Sequence, residues 1–347
     1  MGEFEHIAKI RRLAEKTTLP GESVRLGIGD DCCLVAAGSD QEFALSTDTI
    51  VEGVHFRLDY FSYYQVGVKA AAAAISDLAA MAAEPVGSLA AVSISESAAE
   101  SALEDLASGL IDTCEKYGCP LLGGDLTRSP SPLVATVTVI GKLPAGTAIR
   151  RSTARPGDEI WVTGSPGDAA AVLAVLENAR GGCGPRPQVT EEQAARLHEP
   201  VPRLAEARLL RNYGLATAMI DISDGVAADL NHILESSGCG ALLFGDRLPV
   251  SEFSRSVAGN LALRPEHFLL YGGEDFELLF TSGQQAVQKH LAGLRKKSHT
   301  SFTLIGRITD KIGELAIIRE NGRLEQVEKT GFDHFKKPET TNRKESS

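Results

Sequence analysis

The segment STDTIVEGVHF, residues 46–56, has the most informative pattern in the chain. It continues a stretch that begins at residue 43, and its Thr, Ile and Val residues favour an extended strand that runs into a polar turn. Ser46, Thr47 and Asp48 bring oxygen atoms to this strand, and oxygen atoms are the ligands that hard divalent cations such as Mg²⁺ prefer. The segment therefore predicts a strand that supplies ligands to a polar site.

Five other short motifs combine acidic residues with Gly or Ser. They are GIGDD (27–31), SD (76–77), GGD (123–125), DISDG (221–225) and GGED (272–275). We expect the glycine-containing ones to lie in turns, whereas STDT (46–49) belongs to the predicted strand and SD to a predicted helix. Each motif alone is also typical of an ordinary turn or helix cap. Together they predict carboxylates clustered near strand ends, and such a cluster repels itself unless cations occupy it or its pKa values rise. The set favours a Mg²⁺ site over a zinc or iron–sulfur site.

Length and composition narrow the class of protein. At roughly 150 residues per domain, 347 residues predict about two domains, and 43% hydrophobic with 23% charged residues is typical of a globular protein. The net charge of −11 disfavours nucleic acid or an anionic membrane as a partner. The N-terminus lacks a signal-peptide pattern, and Asp77 interrupts the most apolar run, so we expect a cytoplasmic protein. The six cysteines include no CxxC pair and predict no disulfide framework.

Strand-like and helix-like segments alternate along the chain, which predicts an α/β or α+β fold with two domains. Pro and Gly residues at 144–158 mark the predicted boundary between them. We expect an N-terminal domain over 1–148, a C-terminal α/β domain over 149–335 and a disordered polar tail over 336–347. The predicted helices span 3–15, 64–83, 97–117, 167–176, 203–212 and 225–236, and the predicted strands 133–143, 158–164, 216–222, 276–281 and 303–308.

Several common catalytic motifs are missing from the sequence. It contains no GxxxxGK[ST] loop, no HRD or DFG, no GxSxG and no HExxH. GIGDD begins like a dinucleotide-binding loop, but it lacks the third glycine and has Asp30 and Asp31 where phosphates would approach. The chain is thus neither a P-loop protein nor a protein kinase by these criteria.

In their order along the chain, the six motifs resemble those of the thiamine-monophosphate kinases, a family within the aminoimidazole-ribonucleotide-synthetase-like superfamily of ATP-dependent enzymes. The resemblance extends from about Phe4 to Phe332, and STDTIVEGVHF is its most specific part. It also includes ISDLAAM (75–81), LLGGDLTRS (121–129), IDISDG (220–225) and YGGEDFELLFT (271–281). It implies that ATP and thiamine monophosphate react to give ADP and thiamine diphosphate, the last step of thiamine diphosphate biosynthesis. It also implies a homodimer in which the sheets of the N-terminal, ATP-binding domains meet.

The resemblance assigns roles to individual residues. The implied ligands of several Mg²⁺ ions are Asp30, Ser46, Thr47, Asp48, Asp77, Asp125, Asp221 and Asp224. The implied ATP-binding residues are Tyr117, Gly124, Asp125, Arg150 and Ser223. The implied contacts to thiamine monophosphate are His55, Glu274 and Phe332. Without the resemblance, Tyr117 is more typical of helix-end packing and His55 of a capping or core histidine. Arg150 is also compatible with a solvated surface residue.

The reaction implied in this way needs no general base. Its nucleophile is a phosphate oxygen of the substrate, which is already anionic near pH 7, so positioning and charge neutralisation suffice for direct in-line transfer. We therefore expect no phosphorylated enzyme intermediate and assign no catalytic side chain.

Two alternatives stay open at this point. One is another enzyme of the same superfamily, such as aminoimidazole ribonucleotide synthetase, selenophosphate synthetase or the hydrogenase maturation factor. Selenophosphate synthetase would need a reactive cysteine in an early glycine-rich loop, but Cys32 and Cys33 follow GIGDD rather than precede it. The hydrogenase maturation factor would need a C-terminal cysteine, but the last cysteine, Cys239, is far from the C-terminus. Both enzymes are therefore disfavoured. The other alternative is a metal- or nucleotide-binding protein without turnover.

Overall fold

The strand expected at residues 43–56 lies at the centre of the first of two β-sheets. The structure, a computed structural model, describes residues 3–15, 23–95, 98, 100–130, 132–180 and 189–329. Its helices in these ranges are α1 (Glu3–Glu15), α2 (Tyr63–Ala80), α3 (Glu100–Lys116), α4 (Asp168–Arg180), α5 (Glu191–His198), α6 (Leu204–Asn212), α7 (Val226–Ser237), α8 (Glu252–Asn260), α9 (His267–Tyr271) and α10 (Ala286–Ser298). Short 3₁₀ turns occupy Arg151–Thr153 and Gly245–Arg247.

The first sheet contains the six strands β1 (Val24–Leu26), β2 (Cys33–Ala36), β3 (Gln41–Val51), β4 (Glu84–Ser95), β5 (Leu121–Ser129) and β6 (Val134–Pro144). Their spatial order is β1-β2-β3-β6-β4-β5, and all neighbours are antiparallel except β4 and β5. In β3, Thr47 and Thr49 are exposed while Ile50 is buried, because alternate side chains of a strand point to opposite faces. The strand therefore has an inner face towards α2 and an open outer face.

The second sheet contains the seven strands β7 (Glu159–Thr163), β8 (Ala218–Asp221), β9 (Gly240–Phe244), β10 (Leu278–Ser282), β11 (Phe302–Thr309), β12 (Leu315–Ile318) and β13 (Leu324–Gln326). Their spatial order is β13-β12-β9-β11-β7-β10-β8, with β9 and β12 as the parallel pair. The fold is thus mixed α/β, as expected from the sequence, and both of its sheets are largely antiparallel.

Helix α2 lies where the two halves of the chain meet. It begins with a capping box, in which Ser62 accepts a hydrogen bond from the backbone N–H of Gln65 and the Gln65 side chain accepts one from that of Ser62. Most of its side chains are small and buried, which lets it approach α3, the first sheet and β8 closely. This position makes α2 the element that brings residues of both halves into one site.

Three of the six acidic motifs do not lie in turns. STDT is inside β3 and SD is inside α2, as the predicted strand and helix require, whereas GGD is inside β5, so the expectation of a turn is wrong for GGD. Strand pairing overrides the local preference of Gly and Asp for turns, because β5 takes its backbone partners from β4. GIGDD, DISDG and GGED do lie mainly in loops.

The predicted boundary at residues 144–158 falls between β6 and β7, which belong to different sheets. The limits at 148 and 335 stay predictions, and the tail 336–347 lies outside the described residues. Among the helices of the described ranges, none combines the length and the apolar character that crossing a bilayer requires.

Candidate functional site

A cavity of about 610 Å³ opens between the two halves and is rich in carboxylates. Its walls come from the GIGDD loop, the middle of β3, α2, the end of β8 and α7. Predicted site residues that line it are Asp30, Ser46, Thr47, Asp48, Asp77, Ser223 and Asp224. Sequence motifs that are far apart in the chain therefore meet at one place.

The acidic side chains of this cavity are close enough to repel one another. Carboxylate oxygens of Asp31, Asp77 and Asp221 lie within 4.8 Å of each other. Burial, followed by the charges of Asp48 and Asp221, raises the pKa of Asp77 well above its usual value. Burial, followed by the charge of Asp31, raises the pKa of Asp48 to about 6 and that of Asp221 to about 8. Such a group of carboxylates favours a bound cation or bound protons.

Two hydroxyl groups orient the carboxylates of this cluster. The Ser46 hydroxyl on β3 donates to Oδ2 of Asp77. The Ser76 hydroxyl on α2 donates to Oδ2 of Asp221 at 2.6 Å, and both side chains are buried. Because Ser76 and Asp77 are consecutive on α2, the helix aligns one acid of its own and one acid of β8.

The cluster contains a basic residue next to the one that was predicted. Arg151 forms a two-pronged pair with Asp31, with Nε–Oδ2 at 3.0 Å and Nη2–Oδ1 at 2.6 Å. Its Nε also lies 3.7 Å from Oδ1 of Asp30. Burial, followed by the charge of Asp31, raises the pKa of Asp30 to about 7. Arg150, the predicted phosphate contact, does not line this cavity, so the geometry places Arg151 rather than Arg150 there.

A second cavity, of about 390 Å³, adjoins the first. The two cavities share the lining residues Asp48, Ser223 and Asp224. The second one also contains His55 and Glu274, the predicted substrate contacts. A molecule in each cavity would therefore meet the other beside these three shared residues.

The loop that carries Glu274 is fixed to the DISDG loop. The backbone N–H of Glu274 donates to the carbonyl of Ser223 at 2.8 Å, and that of Phe276 donates to the carbonyl of Ile222 at 2.9 Å. A Cβ on Gly273 would lie 2.0 Å from the Ser223 carbonyl oxygen, so only glycine permits this approach. Glu274 itself has φ of 71°, a conformation that costs on the order of 1 kcal/mol for a residue with a side chain. Its position is therefore imposed by tertiary contacts.

His55 and Lys69 lie together in the wall of the second cavity. The backbone N–H of Val51 donates to Nδ1 of His55 at 3.0 Å, so the neutral ring carries its proton on Nε2. Lys69 on α2 is 1% exposed, and its Nζ donates to the His55 carbonyl at 2.7 Å and to Oε1 of Glu274 at 2.6 Å. No role for Lys69 was predicted from the sequence.

Two predicted residues lie away from both cavities within one chain. Gly124 and Asp125 are on β5 at the exposed edge of the first sheet. Gly124 is in register with Asp48 across two intervening strands, which corresponds to roughly 14 Å at about 4.8 Å per strand. A Cβ on Gly124 would lie 1.7 Å from the Ala90 carbonyl oxygen, so strand pairing alone requires this glycine.

Thr47, Tyr117 and Phe332 complete the predicted set. Thr47 borders the first cavity, but its hydroxyl pairs with that of Thr138 at 2.9 Å on the outer face of the sheet. Tyr117 packs against the first core, and burial raises the pKa of its hydroxyl to about 12. That hydroxyl has no hydrogen-bond partner among the described residues. Phe332 lies outside the described residues.

The charged residues of the two cavities that were not predicted include Asp31, Lys69, Arg151 and Asp229. Asp229 is buried on α7 and its Oδ2 accepts a hydrogen bond from the backbone N–H of Asp224 at 3.2 Å. Asp229 and Lys69 could have been suspected, because each is a charged residue in a run of small or apolar residues, VAAD (226–229) and VKAA (68–71). The doublets DD and RR in the sequence do not tell which member faces the site.

The arrangement suits a reaction between two anionic molecules. One cavity offers oxygen ligands for cations, the other offers a carboxylate and an imidazole, and they join beside Asp48. Cations held by the first cavity would reduce the repulsion between phosphate groups that meet there.

Comparisons with known proteins identify the family to which the chain belongs. Residues 29–143 match the family "AIR synthase related protein, N-terminal domain", and residues 155–317 match the corresponding C-terminal domain. The thiamine-monophosphate kinase of Salmonella typhimurium is 40% identical over 97% of this chain and 99% of its own length. That of Bacillus subtilis is 34% identical over 97% of this chain and 100% of its own length.

A solved structure described as "AaThiL complexed with AMPPCP and TMP" superposes with a TM-score of 0.80 at 28% identity. It covers 96% of this chain and 97% of its own. With both domains matched and relatives at 34–40% identity over nearly their full length, the chain belongs to the thiamine-monophosphate kinase family.

Proposed function

We propose that this chain transfers a phosphoryl group from ATP to thiamine monophosphate, giving ADP and thiamine diphosphate. Family membership supports the reaction, and a relative of the same fold is described as a complex with AMPPCP and TMP. The observation that carries the proposal is the junction of two cavities at Asp48, Ser223 and Asp224. We assign ATP to the carboxylate-rich cavity and thiamine monophosphate to the cavity of His55 and Glu274.

The carboxylate-rich cavity fits Mg²⁺ by its chemistry. Oxygen atoms of Asp31, Asp77 and Asp221 lie within 4.8 Å of one another, and burial raises the pKa of both Asp77 and Asp221. Divalent cations stabilise such a set of carboxylates. The residues proposed to hold Mg²⁺ are Asp30, Ser46, Thr47, Asp48, Asp77, Asp125, Asp221 and Asp224. Bound Mg²⁺ supplies neutralisation of phosphate charge.

The side chains of the protein orient the carboxylates and balance their charge, and none of them transfers a proton. Ser46 and Ser76 orient Asp77 and Asp221, and Arg151 compensates the charge of Asp30 and Asp31. The acceptor is an anionic phosphate oxygen, so direct in-line transfer requires no general base. Incubation with γ-³²P-labelled ATP without acceptor should leave the protein unlabelled, and a covalently labelled protein would contradict direct transfer.

Thiamine monophosphate would lie with its phosphate at the shared residues and its ring system deeper in the second cavity. The Glu274 carboxylate can accept hydrogen bonds from an aminopyrimidine or face the cationic thiazolium. Nε2 of His55 carries the proton of the neutral ring, so it can donate to the substrate. Phe332 is proposed to pack on the substrate, as the resemblance implies.

We further propose a homodimer that completes the ATP site. The edge strand β5 and its neighbour β4 expose Leu89, Leu122 and Leu126 at 42%, 61% and 57%. Exposed leucines on an unpaired edge strand favour association with another copy. Gly124 and Asp125 lie on the same strand, so an ATP site beside this interface would use Asp125 of the partner subunit. The nucleotide contacts proposed for Tyr117 and Arg150 rest on the resemblance to the family alone.

The test of the reaction is product analysis with three acceptor conditions. Purified protein, ATP and Mg²⁺ are incubated with thiamine monophosphate, with free thiamine or with no acceptor, with and without EDTA. We expect ADP and thiamine diphosphate in equal amounts with thiamine monophosphate, and loss of both on chelation. Absence of thiamine diphosphate would reject the proposal and favour another enzyme of the superfamily.

A further inference from the structure

Lys69 is a buried, paired cation in a helix whose packing does not require a charge. It lies in the middle of α2 between Val68 and Ala70, and its side chain is 1% exposed. The Phe61 ring centroid is 5.1 Å from Nζ. A buried ammonium is costly unless it is paired, and an apolar residue would pack in such a helix without that cost. The charge at this position therefore points to a function other than packing.

The contacts of Lys69 connect two residues that are proposed to bind substrate. Nζ donates to the carbonyl oxygen of His55 at 2.7 Å and to Oε1 of Glu274 at 2.6 Å. His55 follows β3 in the first half of the chain, whereas Glu274 lies on a loop of the second half. One ammonium group thus fixes the relative position of both.

The Lys69 side chain is less accessible from the cavity than the Glu274 side chain is. The Glu274 side chain is 24% exposed, whereas that of Lys69 is 1% exposed. A substrate ring would therefore contact the carboxylate, with the ammonium behind it. This geometry is that of a positioning residue that acts through another side chain.

We propose that Lys69 is a positioning residue for substrate recognition: it holds the Glu274 carboxylate and the His55 backbone in the arrangement that binds the ring system of thiamine monophosphate. The inference rests on the proposed function and adds to it a determinant of substrate affinity. It assigns Lys69 no contact with ATP and no part in the transfer step.

The test is a double-mutant cycle on steady-state kinetics. Lys69→Met should raise the KM for thiamine monophosphate about tenfold or more, with kcat within about threefold and the KM for ATP within about twofold. Glu274→Gln should also raise the KM for thiamine monophosphate. Because Lys69 acts through Glu274, the double variant should be no more than about twofold worse than Glu274→Gln.

A matched control is available in a second ion pair between the halves. Arg211 on α6 pairs with Glu84 on β4 at 2.9 Å, and Glu84 lines neither cavity of the proposed site. Glu84→Gln should leave the KM for thiamine monophosphate unchanged. A similar increase in Glu84→Gln would show a general effect of the contact between the halves and overturn the proposal.

Other outcomes separate this inference from the proposed function. An active wild type in which Glu274→Gln raises the KM but Lys69→Met does not would overturn the role of Lys69 alone. Independent, multiplying effects in the double variant would do the same. If Lys69→Met fails to fold, Lys69→Gln takes its place, and loss of folding in both would show a structural role instead. A wild type without activity on thiamine monophosphate would overturn both.

Discussion

The hydroxyl of Ser76 donates a 2.6 Å hydrogen bond to Asp221, which connects α2 of the first half to β8 of the second. Both side chains are buried, and the next residue of α2 is Asp77. Two consecutive residues of α2 therefore bring an acid of the helix, Asp77, close to an acid of the second sheet, Asp221. This contact explains how motifs about 145 residues apart in sequence form one cluster.

Ser76→Ala removes this hydrogen bond and leaves a buried carboxylate with one partner fewer. The loss should lower the free energy of unfolding by about 1–3 kcal/mol and raise the Mg²⁺ concentration needed for half-maximal activity several-fold. Urea denaturation and a Mg²⁺ titration of the rate measure the two effects. Ser88→Ala is the control, because Ser88 is also buried but bonds to the Cys119 carbonyl away from the site. An unchanged Mg²⁺ requirement in Ser76→Ala would contradict the positioning role.

The stability of the metal-free protein should fall as the pH rises from about 5 to 8. Burial raises the pKa of Asp48 to about 6, that of Asp30 to about 7 and that of Asp221 to about 8, from an ordinary 3.8. The folded protein therefore binds more protons than the unfolded chain between about pH 4 and 8. Because these protons are released as the pH rises, the free energy of unfolding decreases across this pH range.

The measurement is the Tm against pH with EDTA and with Mg²⁺. The increase in Tm on adding Mg²⁺ should be larger at pH 8 than at pH 5.5, because cations then replace the lost protons. Asp221→Asn should flatten the pH dependence of the metal-free protein. A Tm with EDTA that is highest at pH 8 would show that the carboxylates do not destabilise the folded state.

Arg150 and Arg151 should differ in what their removal changes. Arg151→Met leaves the fully buried Asp31 carboxylate without its guanidinium partner, which should lower the free energy of unfolding by about 3–5 kcal/mol. Arg150→Met should leave stability within about 1 kcal/mol and raise the KM for ATP, if Arg150 contacts phosphate as proposed. Denaturant unfolding and ATP kinetics on both variants separate the roles. Equal stability of the two variants would contradict the buried pair.

Mixed dimers test whether Asp125 acts across the proposed interface. Asp48→Asn and Asp125→Asn should each be inactive, but a heterodimer of the two contains one intact site if each site uses Asp125 of the partner subunit. Separately tagged chains that are refolded together and purified as the heterodimer should recover about half of the wild-type rate. If both acids acted within one chain, every site would lack one of them, and the heterodimer would stay inactive.

Much of the candidate site could be predicted from the sequence because its chemistry lies in the motifs themselves. Asp48, Asp77 and Asp221 were expected to meet, and the structure brings them together. The central strand β3 and helix α2 were also expected, since their residue types match their elements over long stretches. Local pattern is sufficient where propensity and tertiary structure agree.

The sequence did not reveal features that depend on tertiary contacts. Whether Arg150 or Arg151 faces the cluster is set by the 3₁₀ turn at Arg151–Thr153, which no local pattern fixes. The GGD motif is typical of a turn, yet pairing with β4 makes it part of a strand. Lys69 stands in an alanine-rich helix, and its role depends on a loop about 205 residues later in the chain.

The most direct test of the account compares wild type, Asp48→Asn and Asp246→Asn for thiamine diphosphate formation from ATP and thiamine monophosphate. Asp48 lies at the junction of the two cavities, whereas Asp246 is an exposed acid that lines neither of them. We predict that wild type and Asp246→Asn form product at equal rates, while Asp48→Asn is folded by circular dichroism and forms none. Undiminished product formation by Asp48→Asn would contradict the assignment of phosphoryl transfer to this junction.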